Sequence, residues 1–324
     1  MSDSPASTPA ARPRVVSLLP SATEVLCRIE GGRELLVGRS HECNFPSGLE
    51  SLPALTGQRT RATTSEAIDA EVRATLGPGP DGAPATGPQS LYTLDAARLR
   101  ELRPDVILTQ DLCDVCSIDL ETVRGVAASM DPAPQVLSLD PASFEDVLDD
   151  VLQVGEAVGL AEAAHRAMIE LREAWWTAVD FVNPYLDGPE VAFIEWMKPL
   201  FVGGHWTPGM IRAAGGRCSL GEPGGRSRTV EPEDLLAAMP DRLIICPCGF
   251  TIEQTRADLT ALTAERWWPL LPAVQEGRVV IVDGDAMFNR PGPRLVDAFR
   301  WLVGWINDRP EVIPEGFPVE PLEG

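Results

Sequence analysis

Cys113-Asp114-Val115-Cys116 puts two thiols at a spacing that lets both thiolates grip one soft metal ion. The same pair also reads as packed loop thiols or as a redox couple, although the flank of a thioredoxin-like motif is missing. In His41-Glu42-Cys43 an imidazole, a carboxylate and a thiol stand in a row. Residues i and i+2 of an extended loop point the same way, so His41 and Cys43 could share one target. His205 follows two glycines and precedes Trp206; the glycines permit close backbone approach to a ligand, and the indole offers a stacking face. A lone histidine is usually a satisfied core or surface residue, but two of the chain's three histidines fall in loops of this kind. His165 reads as structural.

Other side chains extend the set. Cys246-Pro247-Cys248 begins inside a strand, which makes Cys246 packing and Cys248 the loop member. Cys27 and Cys218 read as structural. Trp196, Trp206, Phe250 and Phe288 could wall an apolar pocket for a planar macrocycle, or equally pack at an interface between lobes. Arg290 could meet a carboxylate or amide of such a ligand, whereas Arg294 reads as a solvated residue at the start of the last helix. Were Cys43, Cys113, Cys116 and Cys248 to converge, they would suffice for an iron–sulfur centre.

These residues need elements to hold them, and the clearest sign of those elements is a repeat. Leu102-Arg103-Pro104-Asp105-Val106-Ile107-Leu108 recurs as Met239-Pro240-Asp241-Arg242-Leu243-Ile244-Ile245. Each copy follows a helix-like run, enters an apolar strand through Pro-Asp, and breaks into a cysteine-bearing loop. Distant repeats imply two related lobes, and open α/β sheets place ligands at strand ends, between such lobes. Further strands read at 14–19, 35–38, 135–139, 191–195 and 278–282, alternating with helices, which points to parallel sheets. Ser21 with Glu24 reads as a capping box opening the first helix. From Ser143 to about Val182 apolar residues keep helical spacing, with Gly159 a candidate break, so this stretch reads as one long helix joining the lobes. Phe299, Trp301 and Trp305 in the last helix read as core aromatics. The expected organisation is an N-terminal tail (1–13), an α/β lobe (14–142), the backbone helix (143–182), a second α/β lobe (183–310) and a C-terminal tail (311–324). The Gly/Pro/Ala-rich stretch 77–89 reads as an exposed loop.

At 324 residues the chain is long enough for two domains, each with its own core, and its 44% hydrophobic content is that of a globular protein. A net charge of -21 repels phosphate backbones and anionic lipid headgroups, which argues against nucleic acid as a partner and favours a neutral, cationic or metal-containing one. No stretch reaches the ~18 apolar residues of a membrane span, so the protein is not expected to be membrane-embedded. The first 13 residues do not read as a secretory signal, so a cytoplasmic location is expected, where the seven cysteines would be free thiols or metal ligands. Phosphate-loop, G-x-S-x-G and H-E-x-x-H signatures are missing, as is the Rossmann glycine fingerprint, which disfavours an enzyme.

The order Arg14–Glu24, Leu102–Leu108, long helix, Gly215-Gly216, Pro240–Ile245 and Phe288-Asn289-Arg290-Pro291-Gly292-Pro293-Arg294 resembles the class III substrate-binding proteins of ABC importers, most closely their cobalamin-binding branch. The resemblance covers about residues 14 to 306. It implies two Rossmann-like lobes joined by a backbone helix, a flat metal chelate in the cleft, and little lobe closure. Carried over by position, it makes cleft-lining segments of His41 to Phe45, Asp111 to Cys116, Glu195-Trp196-Met197, Gly203 to Trp206, Cys248-Gly249-Phe250 and Met287 to Arg290. The family also presents a surface acid on each lobe, seven residues before the repeat proline, to dock a permease; Glu233 fits in the second lobe, whereas Ala97 stands in the first with Asp95 nearby. The leading expectation is therefore non-catalytic binding of cobalamin or a related corrinoid, with His41, His205, Cys43, Cys113 or Cys116 within reach of the metal. The alternative is a transition-metal or iron–sulfur protein with redox or transfer activity.

Overall fold

The computed structural model describes residues 12–76, 90–111 and 118–322. Cys113, Cys116 and the loop 77–89 therefore lie outside the described residues. In chain order the N-terminal lobe runs β1 (Val15–Ser17), α1 (Pro20–Arg28), β2 (Leu36–Arg39), β3 (Thr56–Gln58), α2 (Ser65–Leu76), β4 (Tyr92–Leu94), α3 (Ala96–Leu102), β5 (Val106–Thr109), α4 (Leu120–Ala128) and β6 (Gln135–Ser138). Helices α5 (Phe144–Ala157) and α6 (Ala161–Val179) follow. The C-terminal lobe continues with β7 (Val191–Trp196), β8 (Phe201–Val202), α7 (Thr207–Ala213), β9 (Arg228–Thr229), α8 (Pro232–Ala238), β10 (Arg242–Ile245), α9 (Ile252–Thr263), α10 (Pro272–Gln275), β11 (Val279–Val282), α11 (Leu295–Ile306) and β12 (Val319–Pro321).

Two α/β lobes result, as the alternation of strands and helices led us to expect. The first sheet is parallel, in the order β2-β1-β5-β6. The second has a parallel centre, β11-β10-β7, flanked by antiparallel β12 on one edge and antiparallel β8 and β9 on the other. The all-parallel expectation thus fails at the edges: β8 returns on β7 through the short turn 197–200, and β12 comes back antiparallel beside β11 after α11. Central strands are apolar on both sides because helices cover both faces. Val106 and Leu108 of β5 enter a core shared with α5 and α11, while Ile107 faces a separate cluster with Leu99 and Val123. In β10, Ile244 enters that same shared core, and Leu243 and Ile245 face an outer cluster with Leu235 and Leu259.

The repeated Pro-Asp phrase is a splice from helix to strand. α3 ends on Arg103 and α8 on Met239, both in the left-handed region (φ 44° and 47°). Proline cannot continue the helix. The next residue then locks onto the neighbouring strand: Asp105 Oδ2 accepts the Arg14 N–H at 2.7 Å and Asp241 Oδ2 accepts that of Glu190 at 2.7 Å, while each Asp backbone N–H donates back to the same residue's carbonyl.

The segment 143–182 differs from the single long helix expected. α5 begins at Ser143 with a capping box to Asp146, but α5 and α6 fold back on one another as a hairpin, so that Phe144 stacks on Trp175 with ring centroids 4.1 Å apart. Gly159, at φ 73°, makes the reversal, and Gly155 packs where a side chain would collide with Ala164. Periodicity persisted through the break because both helices bury a face in one core, and spacing alone does not separate one helix from two. Trp175 stacks in turn on Phe299 of α11, centroids 3.6 Å apart. One continuous apolar cluster therefore runs from β1 and α1 through the hairpin to β7, β11 and α11, which opposes large lobe rotation. Residues expected as a C-terminal tail are part of the second lobe as well: Val312 is buried, and β12 pairs with β11.

Candidate functional site: the inter-lobe cleft

The lobes meet where β1, β2 and β11 end. Glu24 of α1 is buried, and its carboxylate is held by two arginines from beyond β11. Arg294 Nε donates to Oε2 at 2.8 Å, and Arg290 Nη1 donates to Oε1 at 3.2 Å. Arg290 also donates to Asn44 Oδ1 and to Asp285 Oδ1, both at 2.8 Å, and Asn44 Nδ2 closes the ring on Asp285 Oδ2 at 2.7 Å. The Arg294 guanidinium lies 4.2 Å from the ring centroid of Phe45. Burial opposes the charge on Arg290, but Asp285 and Glu24 outweigh it and raise its pKa. Arg290, expected to await a ligand, is instead satisfied within the protein, and Arg294, expected in solvent, is part of the same lock. Ser21 and Glu24 form no capping box: Leu19 stands at the N-cap of α1 with no side-chain cap, and the Glu24 carboxylate is committed to the other lobe.

On the N-terminal edge, the loop after β2 is built around Thr56 of β3. Its Oγ1 lies 2.8 Å from Ser40 Oγ and 2.8 Å from His41 Nδ1, and accepts the His41 backbone N–H at 3.1 Å. His41 Nε2 is enclosed, has no hydrogen-bond partner among the described residues and stands 4.0 Å from Glu42 Oε1, which accepts the Tyr92 hydroxyl at 2.9 Å. Burial and the nearby Arg39 lower the His41 pKa, so the ring is neutral at neutral pH. In the tautomer that donates Nδ1–H to Thr56, the Nε2 lone pair is left for a ligand, as in metal-bound histidines. Burial raises the Glu42 pKa against the opposing hydrogen bond of Tyr92.

Cys43 does not share a target with His41. The loop turns, with Cys43 N–H donating to Ser40 O at 3.2 Å, so the extended-chain rule does not apply. Its thiol, 2% exposed, sits 2.9 Å from Thr23 Oγ1, and burial pushes its pKa up to about 11. It is a protonated structural thiol that ties the loop to α1.

On the C-terminal edge, Trp206 and Phe288 are core residues. The Trp206 indole N–H donates to Phe288 O at 2.6 Å, and Phe288 packs edge-on against Phe193 and Trp301. The close approach that Gly204 permits is to the 225–227 backbone, since a Cβ there would collide with Ser227 N. His205 beside it adopts φ 52°; burial and Arg226 lower its pKa. Phe250 is buried edge-on against half-buried Trp196, with centroids 5.3 Å apart. Cys246 is buried, whereas Cys248 is half-buried beside Glu195, whose carbonyl accepts its N–H at 3.1 Å. Ser227 donates to the Glu195 carboxylate at 2.9 Å. Asp111, exposed, donates its N–H to Asp140 Oδ1. Among the described residues no group of three or more His, Cys, Asp or Glu is placed to hold a metal ion. The strand ends of the two lobes thus carry Glu42, Asp111, Asp140, Glu195, Asp283 and Asp285, while both arginines of the seam are already paired.

A family model described as periplasmic binding protein matches residues 15–286. The chain belongs to that family. It is a non-catalytic solute-binding protein, as the missing enzyme signatures led us to expect. No curated protein matches the chain in sequence. Among solved structures, the periplasmic heme-binding protein RhuT from Roseiflexus sp. RS-1 matches at a TM-score of 0.68 and 20% identity, over 92% of this chain and 99% of the other. A periplasmic heme-binding protein from Pseudomonas aeruginosa matches at 0.65 and 19% over 96% and 95%, and the vitamin B12 binding protein BtuF of Vibrio cholerae at 0.63 and 16% over 92% and 98%. These likenesses show the periplasmic-binding fold.

Glu24 and Thr56 are among the members of the site not found from sequence, as are Tyr92 and Asp285. Glu24 carried a signal, an acid four residues past a strand-ending proline, but the capping reading absorbed it. Thr56 carried none, because a threonine in a short strand shows no sign of the histidine it will orient.

Proposed function

We propose that the cleft takes up a cobalamin-like corrinoid as its cargo, and that the protein serves as the substrate-binding component of an importer or as a carrier. The observation that carries this reading is the charge at the strand ends. Arg290 and Arg294 are spent on Glu24 and Asp285, and the remaining edge is rich in carboxylates. A haem brings two propionates that would meet like charge there, and like charges at close range cost free energy in a partly desolvated site. A cobalamin brings amide side chains around its ring and one phosphodiester on its nucleotide loop in place of two ring carboxylates, and its amide N–H groups can donate to the Glu42 and Glu195 carboxylates. Neutral His41 supports the reading further: once the loop opens its enclosed Nε2, that lone pair can take an axial place on a metal. Docking to an ABC permease would use exposed Glu233 in the first turn of α8.

Calorimetric titration with cyanocobalamin tests the reading. The expected dissociation constant is on the order of 1 µM or tighter, about 8 kcal/mol of binding free energy. Absence of heat and of a spectral change at tens of micromolar would remove the corrinoid. Aquocobalamin, whose axial water is exchangeable, should show a shifted visible spectrum on binding to the wild-type protein and a smaller shift with H41A.

A further inference from the structure

The excursion between β3 and β4 leaves the N-terminal lobe beside the His41 loop and comes down on the other lobe. The Ser65 backbone N–H, at the start of α2, donates to Asp258 Oδ2 of α9 at 2.9 Å. One residue on, Glu66 pairs with Lys198 in the turn between β7 and β8 at 2.9 Å. One helical turn along, Ile68 packs against the outer apolar cluster that holds Phe250 and on which Trp196 lies. Three contacts of three kinds, a carboxylate capping a helix start, an ion pair and an apolar contact, thus fasten α2 across the gap between lobes. The two polar contacts land on segments that flank the cleft, the turn after Trp196 and the helix after Phe250, and the apolar one lands on the cluster that holds Phe250.

The fastening is shallow. Lys198 and Glu66 are 59% and 67% exposed, and within α2 only Ser65 is buried. We infer that α2 is a releasable strap: it opens from the C-terminal lobe by itself, without unfolding of either lobe, while the Glu24–Arg290–Arg294 seam stays closed. Because this strap crosses the cleft edge next to Trp196, its release would set the rate at which a ligand enters and leaves. That last step rests on the cleft being the binding site; the opening of α2 does not.

Hydrogen exchange on the full chain without ligand tests the strap. Local opening predicts that α2 amides exchange far faster than those of β7 and β10, and that K198E speeds α2 exchange about two- to five-fold, the range of an exposed ion pair. D258A, which removes the acceptor at the helix start, should speed it about five-fold. E66K/K198E should return the rate toward wild type, a rescue that general destabilisation would not give. Should α2 amides exchange in step with β7 and β10, or ignore both K198E and D258A, the strap is refuted. Stopped-flow mixing with cyanocobalamin then tests the gate: K198E should raise association and dissociation rates together with little change in affinity. Unchanged rates alongside faster α2 exchange would refute the gate. Failure of wild type to bind cyanocobalamin would remove the proposed cargo and leave the exchange result to decide the strap.

Discussion

Glu24 and Glu66 each reach from the N-terminal lobe to a cation of the C-terminal lobe, Glu24 to Arg290 and Arg294 in the interior and Glu66 to Lys198 in solvent. Glu24 and Arg290 are 2% and 7% exposed, whereas Glu66 and Lys198 are 67% and 59% exposed. The same pairing of charges therefore does two jobs. In the interior each partner prevents the other from being left as an unpaired buried charge, so the pair fixes which way the lobes face. In solvent the attraction is screened and offset by side-chain entropy, so the contact can let go. A binding protein whose lobes share one core gains from having its opening confined to the second kind of contact.

Breaking the interior pair should have the largest effect. E24L leaves Arg290 and Arg294 without the buried carboxylate they share, and a loss of about 3–5 kcal/mol is expected, read as a lower urea midpoint. R290M, which leaves Glu24 held by Arg294, should cost less. Asp150 sharpens the contrast, because it is a buried acid that has no cation among the described residues. It lies in α5 with Oδ2 enclosed and unpartnered among the described residues, and burial, followed by Asp140, Asp146 and Asp149, pushes its pKa up to about 7. Its folded pKa lies above the unfolded value of about 3.9, so the native state holds this proton more tightly, and stability falls as pH rises from about 4 to about 7. D150N should therefore raise the melting temperature at pH 8, by the equivalent of about 1–3 kcal/mol, and leave it unchanged near pH 4. At the exposed contact, K198E should change global stability by less than about 1 kcal/mol in the same urea assay. A larger loss would mean that α2 belongs to the cooperative core.

The two halves of the site also differ in how far the sequence announced them. The Pro-Asp phrase was legible as a repeat because helix end, proline and bridging aspartate all sit within a few residues of each other. The facing of the lobes followed from it. What no spacing could supply was the partner of each charge. Glu24 finds Arg290 far along the chain, and a local capping rule claimed the acid first. Cys43 and His41 were read as neighbours in purpose because they are neighbours in sequence, yet a turn sends one to Thr23 and the other to Thr56. Trp206 and Phe288 have the composition of a macrocycle pocket and the burial of a core, and composition alone does not distinguish the two. Gly159 carried the signal for the helical hairpin, but the strong periodicity on both sides of it favoured one helix.

The most direct test of the account is a competition in one cell. Protein saturated with cyanocobalamin is titrated with hemin, and the bound corrinoid is followed by its visible absorbance after rapid gel filtration. The account predicts that the corrinoid stays bound at several equivalents of hemin, because propionates meet the carboxylate edge while Arg290 and Arg294 remain held by Glu24. Displacement of the corrinoid by one equivalent of hemin would contradict it.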